Sequence, residues 1–198
     1  TLAMKHPETF SAVAVLSPPL GFDVMTEKIL PEILRENPNG MSGPNSKKQY
    51  TDYIYALSAA LSPNLNNPPF FVDLPFEYPS GKVIEEVRQR WVKSDPLNML
   101  SIYSSSLKSM KGIYIDVGDK DLLGFKEAAD AFHQKLVSLG IEHVYDVFQG
   151  GHSDNGVERA VKALTFLSNL LPESRIPSSI KPASSIPTTW GSIKDRND

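Results

Sequence analysis

Apolar residues form short uninterrupted runs and longer helical stripes along the chain. The runs over 10–17 and 112–117 are rich in β-branched residues and predict buried parallel strands. The first run, bounded by prolines, suits a central strand that is covered on both faces. A third strand is predicted over 144–148, and amphipathic helices over 125–139 and 157–170. Strands that alternate with helices predict a parallel sheet in a three-layer α/β sandwich.

Residues 20–95 have a different character and predict an insertion between two core strands. Helical periodicity appears over 24–36, 49–61 and 83–92, and a stretch rich in proline and aromatic residues covers 64–79. An insertion of this size is expected to form a cap over the strand ends. We interpret its aromatic residues first as packing of the cap on the core, and alternatively as the wall of a substrate site.

Both ends of the sequence lack the pattern of a complete α/β unit. Residues 1–9 resemble the last turns of a helix closed by His6 and Pro7, and they lead directly into a core strand. This arrangement predicts that further elements precede Thr1. Residues 172–198 are rich in proline and serine and predict an extended tail, in which Trp190 is the candidate for a docking contact. A tail of this composition favours an exported protein, but the sequence does not fix the compartment.

Composition excludes several classes of function. Residues 1–171 are predicted as one core, which the 40% hydrophobic content is sufficient to fill. The net charge is only −3, and the lysines and arginines are scattered along the chain, which argues against nucleic-acid and membrane-surface binding. No apolar run approaches the ~20 residues of a membrane span. The absence of cysteine excludes disulfide and thiol chemistry, and no motif for a cofactor or metal occurs.

Two side chains at predicted strand ends are the candidate catalytic residues. Asp121 follows the strand over 112–117 in a Gly-x-x-Asp turn, and His152 follows the next strand after two glycines. Ligands bind at the carboxyl ends of parallel strands, so both side chains are expected at one rim of the sheet. Asp119 is the alternative acid in the same turn, and Asp116, inside the strand, is interpreted as a local hydrogen-bond acceptor.

The sequence contains no Gly-x-Ser-x-Gly elbow that would present a nucleophile to this pair. The serines that we considered lack the strand–turn–helix setting of a nucleophile: Ser17, Ser42, Ser94 and Ser153. The remaining histidines are interpreted as structural or solvent-exposed: His6, His133 and His143. The residues after His152 are interpreted as candidates to cap the final helix: Ser153, Asp154 and Asn155.

Three stretches resemble the α/β-hydrolase family that contains esterase D, feruloyl esterases and the antigen 85 acyltransferases. Residues 1–18, with the sequence Thr-Leu-Ala-Met-Lys-His-Pro-Glu-Thr-Phe-Ser-Ala-Val-Ala-Val-Leu-Ser-Pro, are similar to the stretch that follows that family's nucleophile serine. The turn over 117–122 resembles its acid turn, and Gln-Gly-Gly-His over 149–152 resembles its histidine loop. The segment over 153–156, Ser-Asp-Asn-Gly, departs from the aromatic-rich stretch that often follows the family's histidine.

The resemblance implies a partial α/β-hydrolase fold and a serine-type carboxylic ester hydrolase. It carries the acid over to Asp121 and the base to His152, and it places the serine roughly ten residues before Thr1. The implied substrate is a small ester, and no cofactor is implied. A non-catalytic α/β-hydrolase-like binding or interaction module is the alternative. A sheet without its first strands exposes an edge, which predicts self-association.

Overall fold

A computed structural model of the protein describes residues 1–40 and 48–171, which form a mixed α/β fold. The helices and strands are, in chain order, α1 Leu2–Lys5, β1 Ala12–Leu16, α2 Phe22–Glu36, α3 Gln49–Leu61, α4 Glu85–Val92, α5 Pro96–Met99, α6 Ser104–Lys108, β2 Gly112–Gly118, α7 Phe125–Ser138, β3 Val144–Phe148 and α8 Gly156–Asn169. The tail predicted over 172–198, including Trp190, lies outside the described residues, as do Ser42 and most of the turn cluster over 37–45.

The three strands form a parallel sheet in the order β1-β2-β3, which confirms the predicted parallel α/β architecture. Leu16 lies beside Asp116 in the first pair of strands, and Gly118 lies beside Phe148 in the second. All three strands therefore end at one rim, as the sequence predicts. The described part of the chain places β1 at an edge of the sheet, whereas its apolar composition suggested a central position. An apolar composition indicates that both faces of a strand are buried, but it does not show whether another strand pairs with each of its edges.

Helices cover both faces of the sheet because successive side chains of β2 point to opposite sides. Ile113, Ile115 and Val117 pack with α7 in one hydrophobic cluster, which we call the sheet core. On the other face, Tyr114 packs against Phe166 of α8. This alternation gives the expected three layers.

The end of α7 shows why its boundary agrees closely with the sequence pattern. Gly140 has a positive φ of 63° and donates its N–H to the Val137 carbonyl. The next N–H, that of Ile141, returns to the Leu136 carbonyl. These two hydrogen bonds form a Schellman motif, which a glycine at this position favours.

The insertion has its own hydrophobic cluster, which we call the cap core. Its fully buried members come from α2, α3 and α4 and include Ile33, Ile54 and Trp91, whose indole N–H donates to the Ser62 hydroxyl at 2.8 Å. Phe76, from the aromatic-rich stretch, is 2% exposed within this cluster. That aromatic side chain therefore packs inside the insertion, whereas the first interpretation expected the aromatic residues to pack the cap on the core.

A buried carboxylate joins the insertion to the elements that follow it. Asp95 accepts hydrogen bonds from the N–H groups of Phe22 and Leu97, both at 2.9 Å, and so connects the start of α2 to the start of α5. Burial raises the pKa of Asp95 to about 6, because the charged carboxylate loses its hydration. The entry to the insertion and its exit are thus held by one side chain.

Among residues 1–40 and 48–171, no helix combines the length and the apolar character needed to cross a bilayer.

Candidate active site

Asp121 and His152 meet at the carboxyl rim of the sheet. The imidazole Nδ1 of His152 lies 2.9 Å from Oδ2 of Asp121, whose side chain is fully buried, while the imidazole is 40% exposed. An ionised carboxylate only accepts hydrogen bonds, so Nδ1 carries the hydrogen. In the neutral ring, Nε2 then carries the lone pair and is able to take a proton from a neighbouring group.

The two carboxylates in the turn after β2, Asp119 and Asp121, have different hydrogen-bond partners. Asp121 receives the N–H of Leu123 on Oδ1 at 2.9 Å, which leaves Oδ2 for the imidazole. Asp119, the alternative acid, accepts the N–H of Gly150 at 2.8 Å instead. Asp121 orients the ring of His152, and Asp119 holds the backbone of the loop that carries it.

Main-chain contacts join the loop after β2 to the loop after β3. The N–H of Asp119 donates to the Phe148 carbonyl and the N–H of Lys120 to the Gly150 carbonyl, both at 2.9 Å. Gly118 lies so close to this loop that a Cβ atom there would be 2.4 Å from the carbonyl oxygen of Gly150. Glycine at 118 is therefore required by the close approach of two backbones.

Aromatic rings connect the imidazole to the insertion. The ring of Phe125, at the start of α7, makes an edge contact with His152 at a centroid distance of 4.7 Å. Tyr53 of α3 packs against the same phenylalanine at 5.7 Å. Its hydroxyl is buried and has no hydrogen-bond partner among the described residues. Burial and the nearby charge of Asp121 raise the pKa of Tyr53 well above its usual range.

A buried ion pair lies behind the rim, and sequence reasoning missed half of it. Asp116 of β2 accepts two hydrogen bonds from Arg159 of α8, at 2.7 and 2.9 Å, and its Oδ1 also accepts the N–H of Ser17 at 3.0 Å. These bonds to Asp116 raise the pKa of Arg159 above its ordinary value. Asp116 is thus a hydrogen-bond acceptor, as interpreted, but its main partner is distant in sequence. An arginine on the sheet-facing side of a predicted amphipathic helix was the available signal.

The serines and the other histidines do not complete a triad with His152 in the described residues. Ser17 is 5% exposed, has a positive φ of 43°, and accepts a hydrogen bond from Arg159 on its hydroxyl. His6 ends α1, as predicted. His133 and His143 are hydrogen-bonded to each other at 2.7 Å, on α7 and just before β3. Within residues 1–40 and 48–171, no serine hydroxyl is hydrogen-bonded to the imidazole of His152.

The cap of the last helix differs in detail from the expectation. Asn155 is the N-cap residue of α8, with a positive φ of 55°, but its side chain makes no capping bond. It donates to the Gln149 carbonyl at 3.2 Å instead. The Asp154 carboxylate accepts the N–H of Gly151 at 2.8 Å. Both side chains therefore shape the histidine loop rather than cap the helix.

An apolar cavity of about 490 Å³ lies elsewhere, beneath β1 on the face that α7 covers. It is lined by Val15, Leu20, Met99 and Leu136 among others, and neither Asp121 nor His152 contributes to it. The candidate site is therefore the hydrogen-bonded pair at the rim, outside this cavity.

Comparison of the chain with models of known protein families and with curated proteins finds no match.

Proposed function

We propose that the protein supplies the acid and the base of a serine-type carboxylic ester hydrolase. The observation that carries the proposal is the 2.9 Å hydrogen bond between Asp121 and His152 at the ends of adjacent parallel strands. A buried carboxylate that fixes the tautomer of a half-exposed imidazole is the arrangement that activates a hydroxyl nucleophile. The nucleophile in this proposal is a serine that precedes Thr1.

The proposed reaction uses these residues in fixed roles. Nε2 of His152 takes the serine proton as the serine oxygen attacks the carbonyl carbon of a small ester. Asp121 stabilises the imidazolium that forms, and the imidazolium returns the proton to the departing alcohol. Water then attacks the acyl-serine with the same base, and release of the carboxylic acid restores the serine.

The chain of 198 residues is expected to show no triad-dependent ester hydrolysis, because no serine within residues 1–40 and 48–171 is hydrogen-bonded to His152. The measurement is the initial rate of p-nitrophenyl acetate hydrolysis by the chain and by its His152→Ala variant, with His133→Ala as the matched control. We expect equal rates for all three proteins. A clear rate that only the His152 substitution abolishes would show that the nucleophile lies within the chain.

The hydrolase proposal itself is tested on the protein expressed from the coding sequence extended upstream of Thr1. We expect a Gly-x-Ser-x-Gly elbow there, covalent labelling of its serine by a fluorophosphonate, and loss of labelling in His152→Ala. An upstream sequence without that elbow would contradict the proposal and favour the alternative, a non-catalytic binding module.

We further propose that the chain self-associates through the edge of β1. The strand pairs only with β2 in the described residues and carries neither charge nor proline, the usual protections of an edge. Beside it, α8 exposes Val157, Val161 and Leu164 by 80%, 57% and 66%. The polar side of α8 points to β3, where Lys162 reaches Asp146, so this apolar side is turned away from β3. A two-fold axis perpendicular to the sheet would pair two β1 strands and bring both apolar sides together.

Self-association is expected to appear as a dimer or larger species in light scattering coupled to size-exclusion chromatography. The double substitution Val161→Glu and Leu164→Glu should weaken it by about tenfold or more, the equivalent of about 1.4 kcal/mol. Leu65→Glu is the matched control, since that leucine is 84% exposed on the insertion. A chain that stays monomeric at every concentration would contradict this proposal and leave the hydrolase proposal intact.

A further inference from the structure

Arg159 uses its entire hydrogen-bonding capacity at the rim of the sheet. Its guanidinium has five N–H groups, and five contacts are present. Nε and Nη2 donate to the two oxygens of Asp116, and Nη2 also donates to the Ser17 hydroxyl at 2.7 Å. Nη1 donates to two main-chain carbonyls, those of His152 at 3.1 Å and Asp154 at 3.2 Å. The residue is 6% exposed, so no water competes strongly for these bonds.

The acceptors belong to every strand end that forms the rim. Ser17 follows β1, Asp116 lies in β2, and the two carbonyls belong to the loop after β3. The central carbon of the guanidinium also lies over the ring of Phe148, the last residue of β3, at 4.1 Å from the ring centroid. A planar fork is needed for this set, because the ammonium of a lysine could not reach all the acceptors at once.

The contact to the His152 carbonyl holds the main chain of the loop, in addition to the contacts that hold the imidazole. On the imidazole side, Asp121 holds Nδ1 at 2.9 Å and Phe125 contacts the ring edge. Before His152, the loop passes through Gly150 and Gly151, which impose little restriction on the backbone. The loop therefore depends on contacts outside itself for its position: Lys120 donates to the carbonyl of Gly150, and Arg159 donates to the carbonyls of His152 and Asp154.

We propose that Arg159 is a positioning residue for His152. It ties the carbonyl of His152 to the Asp116 carboxylate and so keeps Nδ1 within hydrogen-bond distance of Asp121. The inference rests on the proposed function, since it gives this arginine a part in orienting the proposed base.

The test follows the Nδ1 hydrogen of His152 by NMR in the wild-type chain, in Arg159→Lys and in Ser17→Ala. The serine variant is the matched control, because it removes a contact of Arg159 that does not involve the loop. In the wild type we expect a low-field Nδ1–H resonance that exchanges slowly with water. Arg159→Lys should accelerate that exchange by at least about tenfold or abolish the resonance, and Ser17→Ala should preserve it.

A second measurement on the wild type covers the case in which Arg159→Lys does not fold. Scalar coupling across the hydrogen bond from Arg159 Nη1 to the His152 carbonyl is expected, together with slowed rotation of the guanidinium amino groups. Absence of that coupling, or a folded Arg159→Lys variant with unchanged Nδ1–H exchange, overturns the positioning role. A wild type without the Nδ1–H resonance counts instead against the Asp121–His152 pair, and hence against the proposed function.

Discussion

Asp116→Ala is expected to lower the free energy of unfolding by about 3–5 kcal/mol, because it leaves the guanidinium of Arg159 buried without its carboxylate. Asp116 is fully buried and Arg159 is 6% exposed, so water cannot replace the lost partner. The Ser17 N–H, which donates to Oδ1 of Asp116, keeps its second acceptor, the Asp116 carbonyl. The main loss is therefore electrostatic.

Urea unfolding followed by circular dichroism measures this effect against a matched control. Asp146 lies beside Asp116 in the β2–β3 register, but it accepts from the Tyr114 hydroxyl and from an exposed lysine, Lys162. Asp146→Ala should cost about 1 kcal/mol. The double substitution Asp116→Leu and Arg159→Met removes both charges and should recover most of the loss. Equal costs for the Asp116 and Asp146 substitutions would contradict the assignment of a critical buried pair.

Gly118→Ala is expected to destabilise the protein by about 1–3 kcal/mol or more, the usual cost of overpacking, and to separate Asp121 from His152. The added Cβ would lie 2.4 Å from the carbonyl oxygen of Gly150 and 2.8 Å from that of Gly151. Both obstacles are main-chain atoms, so relief requires the whole histidine loop to move. The imidazole would move with it and lose its 2.9 Å contact.

Chemical unfolding gives the stability change, and the Nδ1–H resonance of His152 reports the contact. Gly156→Ala is the control, since nothing lies within 4 Å of a Cβ there and alanine favours a helix. That variant should be neutral or slightly stabilised, with the resonance retained. A stable Gly118→Ala protein with an unchanged resonance would mean that the two loops are not in the close contact described.

The elements that sequence predicts well are those in which local pattern and tertiary structure agree. The strand over 144–148 and the helix over 49–61 have the predicted bounds, because each combines clear periodicity with turn residues at its ends. The choice of Asp121 over Asp119 rests on the Gly-x-x-Asp spacing and on the resemblance of the turn over 117–122 to the acid turn of the hydrolase family. The positions of the two carboxylates in the turn give them different partners. Asp121 contacts the ring of His152, and Asp119 accepts the N–H of Gly150.

The part of the site that sequence did not reveal consists of contacts between distant residues. Arg159 follows Asp116 by 43 residues, and periodicity does not pair two charges across a sheet and a helix. The edge position of β1 was hidden in the same way, since an apolar strand has one composition at the centre and at the edge of a sheet. A charge in a buried strand together with one on the sheet-facing side of a later helix is the pattern from which the pair could have been predicted.

The loops after β2 and β3 are joined by main-chain hydrogen bonds, which do not depend on the side chains at the bonded positions. Lys120 and Gly150 meet through backbone atoms, so the identity of the side chain at 120 has no part in holding the loops at their spacing. Residues such as Lys120 and Ser153, whose side chains are exposed, are therefore open to exchange without displacing the acid from the base. Variation at these two positions is expected to leave the 2.9 Å hydrogen bond between Asp121 and His152 intact.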